Sequence, residues 1–174
     1  MKNNIQIRKA KTKDIRAITK LHKKIVSEVN SAFYSPEVIK EWLNKISEGN
    51  VNHQFQNSVW IVAEIDSKII GFGQYSVKDR QIYQINVDPK YLNQNIGKRL
   101  YEYIENGFKN NEIGKINLNS TLNAVGFYQK LGFEIVQEIN FKLSRQSLKM
   151  IKMEKSLRKD CQVVLGRDIR KSLS

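Results

Sequence analysis

The stretch VDPKYLNQNIGKRL, residues 87–100, has the order of parts that can hold a phosphate. A strand-like run, QIYQINV, ends at Val87, and Asp88-Pro89 breaks it. Helical apolar spacing then begins in IGKRLYEYIENGF. The first amides of a helix have no partner inside it and sit at the positive end of its dipole, so they attract anions. Lys98 and Arg99 fall in that first turn and add charge. Loops of this kind are usually rich in glycine, which allows positive φ or close approach of the backbone. Here Gly97 is the only glycine, but Asn95 is of a type that tolerates left-handed backbone. Gln94 adds a polar side chain beside it.

Other chemistry-bearing residues are sparse. Cys161 is the only cysteine, so an internal disulfide is excluded. His22 and His53 are the only histidines, and no Cys/His spacing suits a metal. His22, beside Lys23 and Lys24 in a helical pattern, reads as a surface residue. His53, in GNVNHQFQNS, reads as a loop residue. Phe127, Tyr128, Leu131 and Phe133 have helical spacing and, on pattern alone, read as core.

The elements that must position these groups follow from periodicity. Ile5 and Ile7 alternate with polar residues as a first strand. Ile15, Ile18, Leu21, Ile25, Val26 and Val29 make one helix face. Ser35-Pro36-Glu37 starts a second helix with the stripe Val38, Ile39, Trp42, Leu43 and Ile46, which Gly49 ends. SVWIVAEI (58–65), IIGFGQYSV (69–77) and QIYQINV (81–87) form an antiparallel meander. A helix follows from Ile96 to about Phe108. KINLN (115–119) is a strand, LNAVGFYQKLG (122–132) a short helix, and FEIVQEI and SLKMIKMEK close the fold as strands. The expected domain covers 1–155. A basic amphipathic tail covers 156–174, with Leu157, Cys161, Val164, Leu165 and Ile169 at helical spacing.

The chain has 174 residues, 30 Lys and Arg against 17 Asp and Glu, and a net charge of +13. This length suits one domain. The charge favours polyanionic partners and opposes a polycationic one. Nucleic acid is therefore one partner class to test, although a Lys-, Asn- and Ile-rich composition also follows from an AT-rich genome. No apolar run approaches the ~20 residues that span a membrane, and no signal-type segment opens the chain. A cytoplasmic protein without a membrane partner is expected.

The element order and three motifs are similar to those of the GNAT superfamily of acetyl-CoA-dependent N-acetyltransferases over about residues 5–155. NAVGFYQKLGF (123–133) resembles the family's late helix. V-x-P with the loop and helix of 87–100 resembles its pyrophosphate loop, and MEKSL (153–157) its last-strand ending. In that loop Leu92 stands where relatives carry Arg or Gln, and Asn95 where they carry the first Gly; Gly97 matches.

The resemblance implies an α/β (α+β) fold: a mixed, mostly antiparallel sheet of about seven strands with about four helices. It implies acetyl-CoA as cosubstrate, no metal, and transfer of acetyl to a primary amine by direct attack in a ternary complex. Gln94, Asn95, Ile96, Gly97, Lys98 and Arg99 would hold pyrophosphate. The backbone of Ile85, Asn86 and Val87 would polarise the thioester carbonyl. Asn119 and Asn123 would bond pantetheine. Tyr128 would contact the cofactor and protonate the thiolate. Glu64 is the candidate base, with water as the alternative, since the fourth strand has only Gln81, Gln84 and Asn86 as polar candidates. Glu28 and Glu41 lie on helices expected near the acceptor. Trp42, Phe55, Trp60, Phe72 and Tyr75 are candidates for the acceptor wall or the core. A small-molecule or peptide amine, an amine borne on RNA or protein, a non-catalytic binding module and a homodimer stay open.

Overall fold

The computed structural model describes residues 5–157. The expected tail beyond Leu157, with Cys161, lies outside them. Within the described residues, seven strands form one sheet: β1 Gln6–Lys9, β2 Val59–Ile65, β3 Lys68–Ser76, β4 Gln81–Val87, β5 Lys115–Thr121, β6 Glu134–Lys142 and β7 Ser147–Ser156. Their spatial order is β1-β2-β3-β4-β5-β7-β6, and only β4 and β5 run parallel. The helices are α1 Ile15–Glu28, α2 Pro36–Lys45, α3 Glu48–Phe55, α4 Ile96–Lys109 and α5 Val125–Lys130.

α3 corrects the sequence reading, which stops the second helix at Gly49 and leaves His53 in a loop. α2 ends at Lys45, and Ser47 caps a new helix by accepting from the Asn50 amide at 3.2 Å. Gly49 lies inside that helix, and Val51 and Phe55 give it an apolar stripe one turn apart. α2 starts as its sequence predicts, with Ser35 accepting from Val38 and Pro36 at the first position.

The run WIVAEI is apolar on both faces because both faces of the sheet are covered. Trp60 and Val62 meet Ile18, Leu21 and Ile25 of α1. Ile61, Ala63 and Ile65 meet Leu100, Ile104 and Phe108 of α4. Glycine lets α4 sit close: a Cβ on Gly71 would lie 2.9 Å from the Asn86 carbonyl and 3.2 Å from Leu100. β7 extends through Ser156, and the Leu157 amide donates to the Gly114 carbonyl at 2.9 Å.

The register between β3 and β4 shifts where the sheet opens. Gln74 pairs with Gln84 and Tyr75 with Ile82, which leaves Tyr83 as an extra residue in β4. Such a bulge bends its strand and sharpens its twist. β4 and β5 pair only at Gln81 with Asn117 and Ile82 with Leu118. Beyond Ile82 the strands part, and β4 presents an unpaired edge to the gap.

Candidate active site

The gap between β4 and β5 is the floor of a cleft of about 1250 Å³. It gathers most of the residues singled out from the sequence: Ile85, Asn86, Val87, Asn95, Ile96, Gly97, Lys98, Asn119, Asn123 and Tyr128 all line it. Gln94, just before α4, and Arg99, in its first turn, do not. The Arg99 guanidinium points away and donates to the Ile5 carbonyl at 2.7 Å.

At one end of the cleft, α4 begins on a left-handed residue. Asn95 has φ +59° and ψ +12°, and Asn93 has φ +61°. These are conformations that glycine adopts freely and asparagine tolerates. No side chain caps the helix, and its first turn holds no acidic residue. The first amides of a 14-residue helix thus face the cleft. Gly97 has an ordinary backbone; a Cβ there would press on the Phe127 ring at 3.2 Å. The position therefore serves the approach of α5 to α4. Lys98 lines the cleft, and Leu92 is half exposed at its rim. This donor-rich, acid-free end fits a diphosphate.

Tyr128 sits on α5 where the strands part. It is buried, with Phe127 and Phe133 edge-on at 5.0 and 5.7 Å. Its hydroxyl has no hydrogen-bond partner among the described residues, and burial raises its pKa above the ordinary phenol value. It is a protonated donor across the neutral range.

The other end is walled by α1, α2, α3, β6 and β7. Glu41 of α2 accepts from the amides of Ser144, Arg145 and Gln146, between β6 and β7, at 2.9–3.1 Å. The Tyr34 hydroxyl donates to the Lys149 carbonyl and accepts from the Leu122 amide. Asn30 donates to Asn123 at 3.2 Å. These bonds tie the α1–α2 corner to both β5 and β7.

Among the described residues, no carboxylate lines the cleft. Glu64 lies on the β1 side of β2, where Arg8 binds it and also holds Asp14 at 2.7 Å. Its carboxylate is committed to that ion cluster. Glu28 is outside the cleft as well, and Glu41 is held by the β6–β7 turn. Of the aromatic candidates, Trp42 lines the cleft. Trp60, Phe72 and Tyr75 are buried, and Phe55 stacks on Trp60 at 5.1 Å.

Both histidines line the cleft, which corrects their reading as a surface and a loop residue. His22 is half buried and edge-on to Phe72 at 5.6 Å, and burial lowers its pKa to about 4. The signal was present in the sequence, because Ile18, His22, Ile25 and Val29 fall on one helical stripe. His53 is exposed on α3, at the cleft's rim.

Comparison with known proteins bears directly on this arrangement. The family model described as an acetyltransferase (GNAT) domain matches residues 30–157. An uncharacterized N-acetyltransferase, YafP of Escherichia coli (strain K12), is 26% identical over 136 residues, covering 78% of this chain and 85% of that protein. A GCN5-related N-acetyltransferase from Rhodopseudomonas palustris superposes with a TM-score of 0.83 at 19% identity, over 90% of this chain and 99% of that one. The PaiA N-acetyltransferase of Thermoplasma acidophilum, solved in complex with coenzyme A, gives 0.74 at 24% identity, over 88% and 99%. With the domain match spanning most of its length, the chain belongs to the GNAT family and is an acyltransferase of the N-acetyltransferase type.

Proposed function

We propose that the protein transfers an acetyl group from acetyl-CoA to a primary amine, with both substrates in the cleft at once. One observation carries the reading: an acid-free helix N-terminus and a tyrosine hydroxyl without a partner among the described residues open into one cleft, on either side of an unpaired strand edge. A relative of the same fold was solved with coenzyme A, which supports the choice of cosubstrate.

Acetyl-CoA supplies an activated acyl group and a thiolate leaving group. The α4 amides and Lys98 hold the diphosphate by charge and hydrogen bonds. Ile85 and Val87 turn their backbone to the unpaired edge of β4, while that of Asn86 between them turns to β3, so the outward pair offers donors to the thioester carbonyl, and such donors act strongly in a site sheltered from water. Asn119 and Asn123 bond the pantetheine arm. The Tyr128 hydroxyl gives its proton to the departing sulfur. The amine loses its proton to water, since no carboxylate lines the cleft among the described residues.

Tyr128→Phe tests the donor. It keeps the ring packing and removes the proton. The expected result is a fall in kcat of about 10- to 100-fold, with acetyl-CoA affinity within about twofold. An unchanged kcat would remove Tyr128 from this role.

A further inference from the structure

A line of hydrogen-bonded side chains crosses the sheet towards the acceptor end. Asn86 Nδ2 donates to Gln84 Oε1 at 2.9 Å, and Gln84 Nε2 donates to Gln74 Oε1 at 2.8 Å. Gln74 Nε2 donates to Ser58 Oγ at 2.9 Å, and the Ser58 hydroxyl donates to the Gln54 carbonyl of α3 at 2.7 Å. The Trp60 indole also donates to Ser58 Oγ, at 3.1 Å. The strand register explains the alignment, because Trp60, Gln74 and Gln84 lie opposite one another across three strands.

An amide side chain can face either way, but this line has one consistent direction. The indole can only donate. Ser58 has one proton, which goes to a backbone carbonyl, so its oxygen must accept from Gln74 as well. Gln74 therefore turns its NH₂ to Ser58 and its oxygen to Gln84. Gln84 must then donate to Gln74 and accept from Asn86. Among the described residues, Asn86 is left with its oxygen free. That residue is in the cleft wall, on the unpaired edge of β4.

We propose that the Asn86 side-chain oxygen anchors the acceptor's amino group, in an orientation imposed from Trp60 through Ser58, Gln74 and Gln84. The inference rests on the acetyl-transfer reading and names its acceptor class. A carbonyl oxygen accepts an N–H from an amine without fixing a positive charge on it, so the nucleophile stays ready to attack. A carboxylate would favour the inert ammonium. His22, in the same cleft and edge-on to Phe72, is held neutral by burial and adds no charge. The cleft lining includes Ile25, Val29, Trp42, Leu148 and Met150 together with neutral polar groups such as Asn30, Gln54 and Asn57. The acceptor is therefore a monoamine with an uncharged body. A polyamine would leave its second cation without a counter-charge.

The experiment measures thiol release from acetyl-CoA with 2-phenylethylamine and with spermidine, alongside calorimetric acetyl-CoA affinity. The wild type should show a lower KM for 2-phenylethylamine than for spermidine. Asn86→Leu and Ser58→Ala should each raise the 2-phenylethylamine KM by about tenfold, with acetyl-CoA affinity within about twofold. Asn86→Asp keeps an oxygen but charges it, so it should hold the 2-phenylethylamine KM within about threefold of wild type while lowering kcat about tenfold, because it favours the ammonium. If Asn86→Leu disturbs acetyl-CoA binding, Ser58→Ala decides, because it lies at the far end of the line. Unchanged KM in Ser58→Ala, or in an Asn86→Leu protein that binds acetyl-CoA normally, overturns the anchor alone. A preference for spermidine overturns the acceptor class. No thiol release from wild type with either amine, despite acetyl-CoA binding, overturns the anchor and its acceptor class but leaves acetyl-CoA binding standing. Absence of acetyl-CoA binding overturns the underlying transfer reading as well.

Discussion

Asn95 shows how a loop poor in glycine keeps the geometry of one rich in it. Its φ of +59° is a conformation most side chains resist, at a cost of roughly 1–2 kcal/mol per residue. Asn95→Gly should leave acetyl-CoA affinity within about twofold, while Asn95→Val should weaken it about tenfold and lower the melting temperature. Equal affinity in both variants would mean that the left-handed turn does not shape the phosphate end. The tolerance of Asn for this backbone was readable from residue type. The commitment of Glu64 to Arg8 was not, because it depends on the pairing of β1 with β2. His22 carries a pH prediction at the same scale. Burial lowers its pKa from 6.5 to about 4, so the fold favours the neutral ring. That contribution is complete above about pH 6.5 and is lost as pH falls towards 4. Thermal melts of His22→Phe should lose less stability than wild type across that window; parallel pH curves would show that the imidazole is not desolvated.

At the scale of elements, the acceptor end depends on a few ties between segments distant in sequence. Glu41 binds three consecutive amides of the β6–β7 turn through one carboxylate. Glu41→Ala should speed hydrogen exchange at residues 144–146 by about tenfold or more and raise the acceptor KM, with acetyl-CoA affinity unchanged. Unaltered exchange there would show that the turn holds itself. Most elements were legible in the sequence because their apolar spacing is regular: the meander, α1 and α4 stand where periodicity puts them. α3 was not, because Gly49 resembles a stop and the capping role of Ser47 shows only once Val51 and Phe55 are seen to share a face. The bulge at Tyr83 also escaped, since QIYQINV reads as an ordinary strand. The bulge lies where the pairing of β4 with β5 ends. The amide line from Asn86 to Ser58 needs the register of three strands, which no periodicity contains.

The whole molecule combines a net charge of +13 with a cleft that no carboxylate lines among the described residues. Both features favour an anionic cosubstrate and disfavour a polycationic acceptor. Raising the salt from about 0.05 to about 0.5 M shortens the range of this field and should weaken acetyl-CoA binding several-fold, leaving the KM of a monoamine nearly unchanged. A salt-independent affinity would confine recognition to local hydrogen bonds. The order of elements and the motifs at 87–100, 123–133 and 153–157 made the family legible before any coordinates. The acceptor was not legible, because the walls that select it come together only through tertiary packing.

The most direct test is a calorimetric titration of the protein with acetyl-CoA, with dephospho-CoA as a control. Binding at micromolar concentration, weakened for dephospho-CoA, is the predicted result; it would mean that the Asn95 loop and α4 hold the diphosphate despite Leu92. No heat of binding at millimolar acetyl-CoA would contradict the account at its centre.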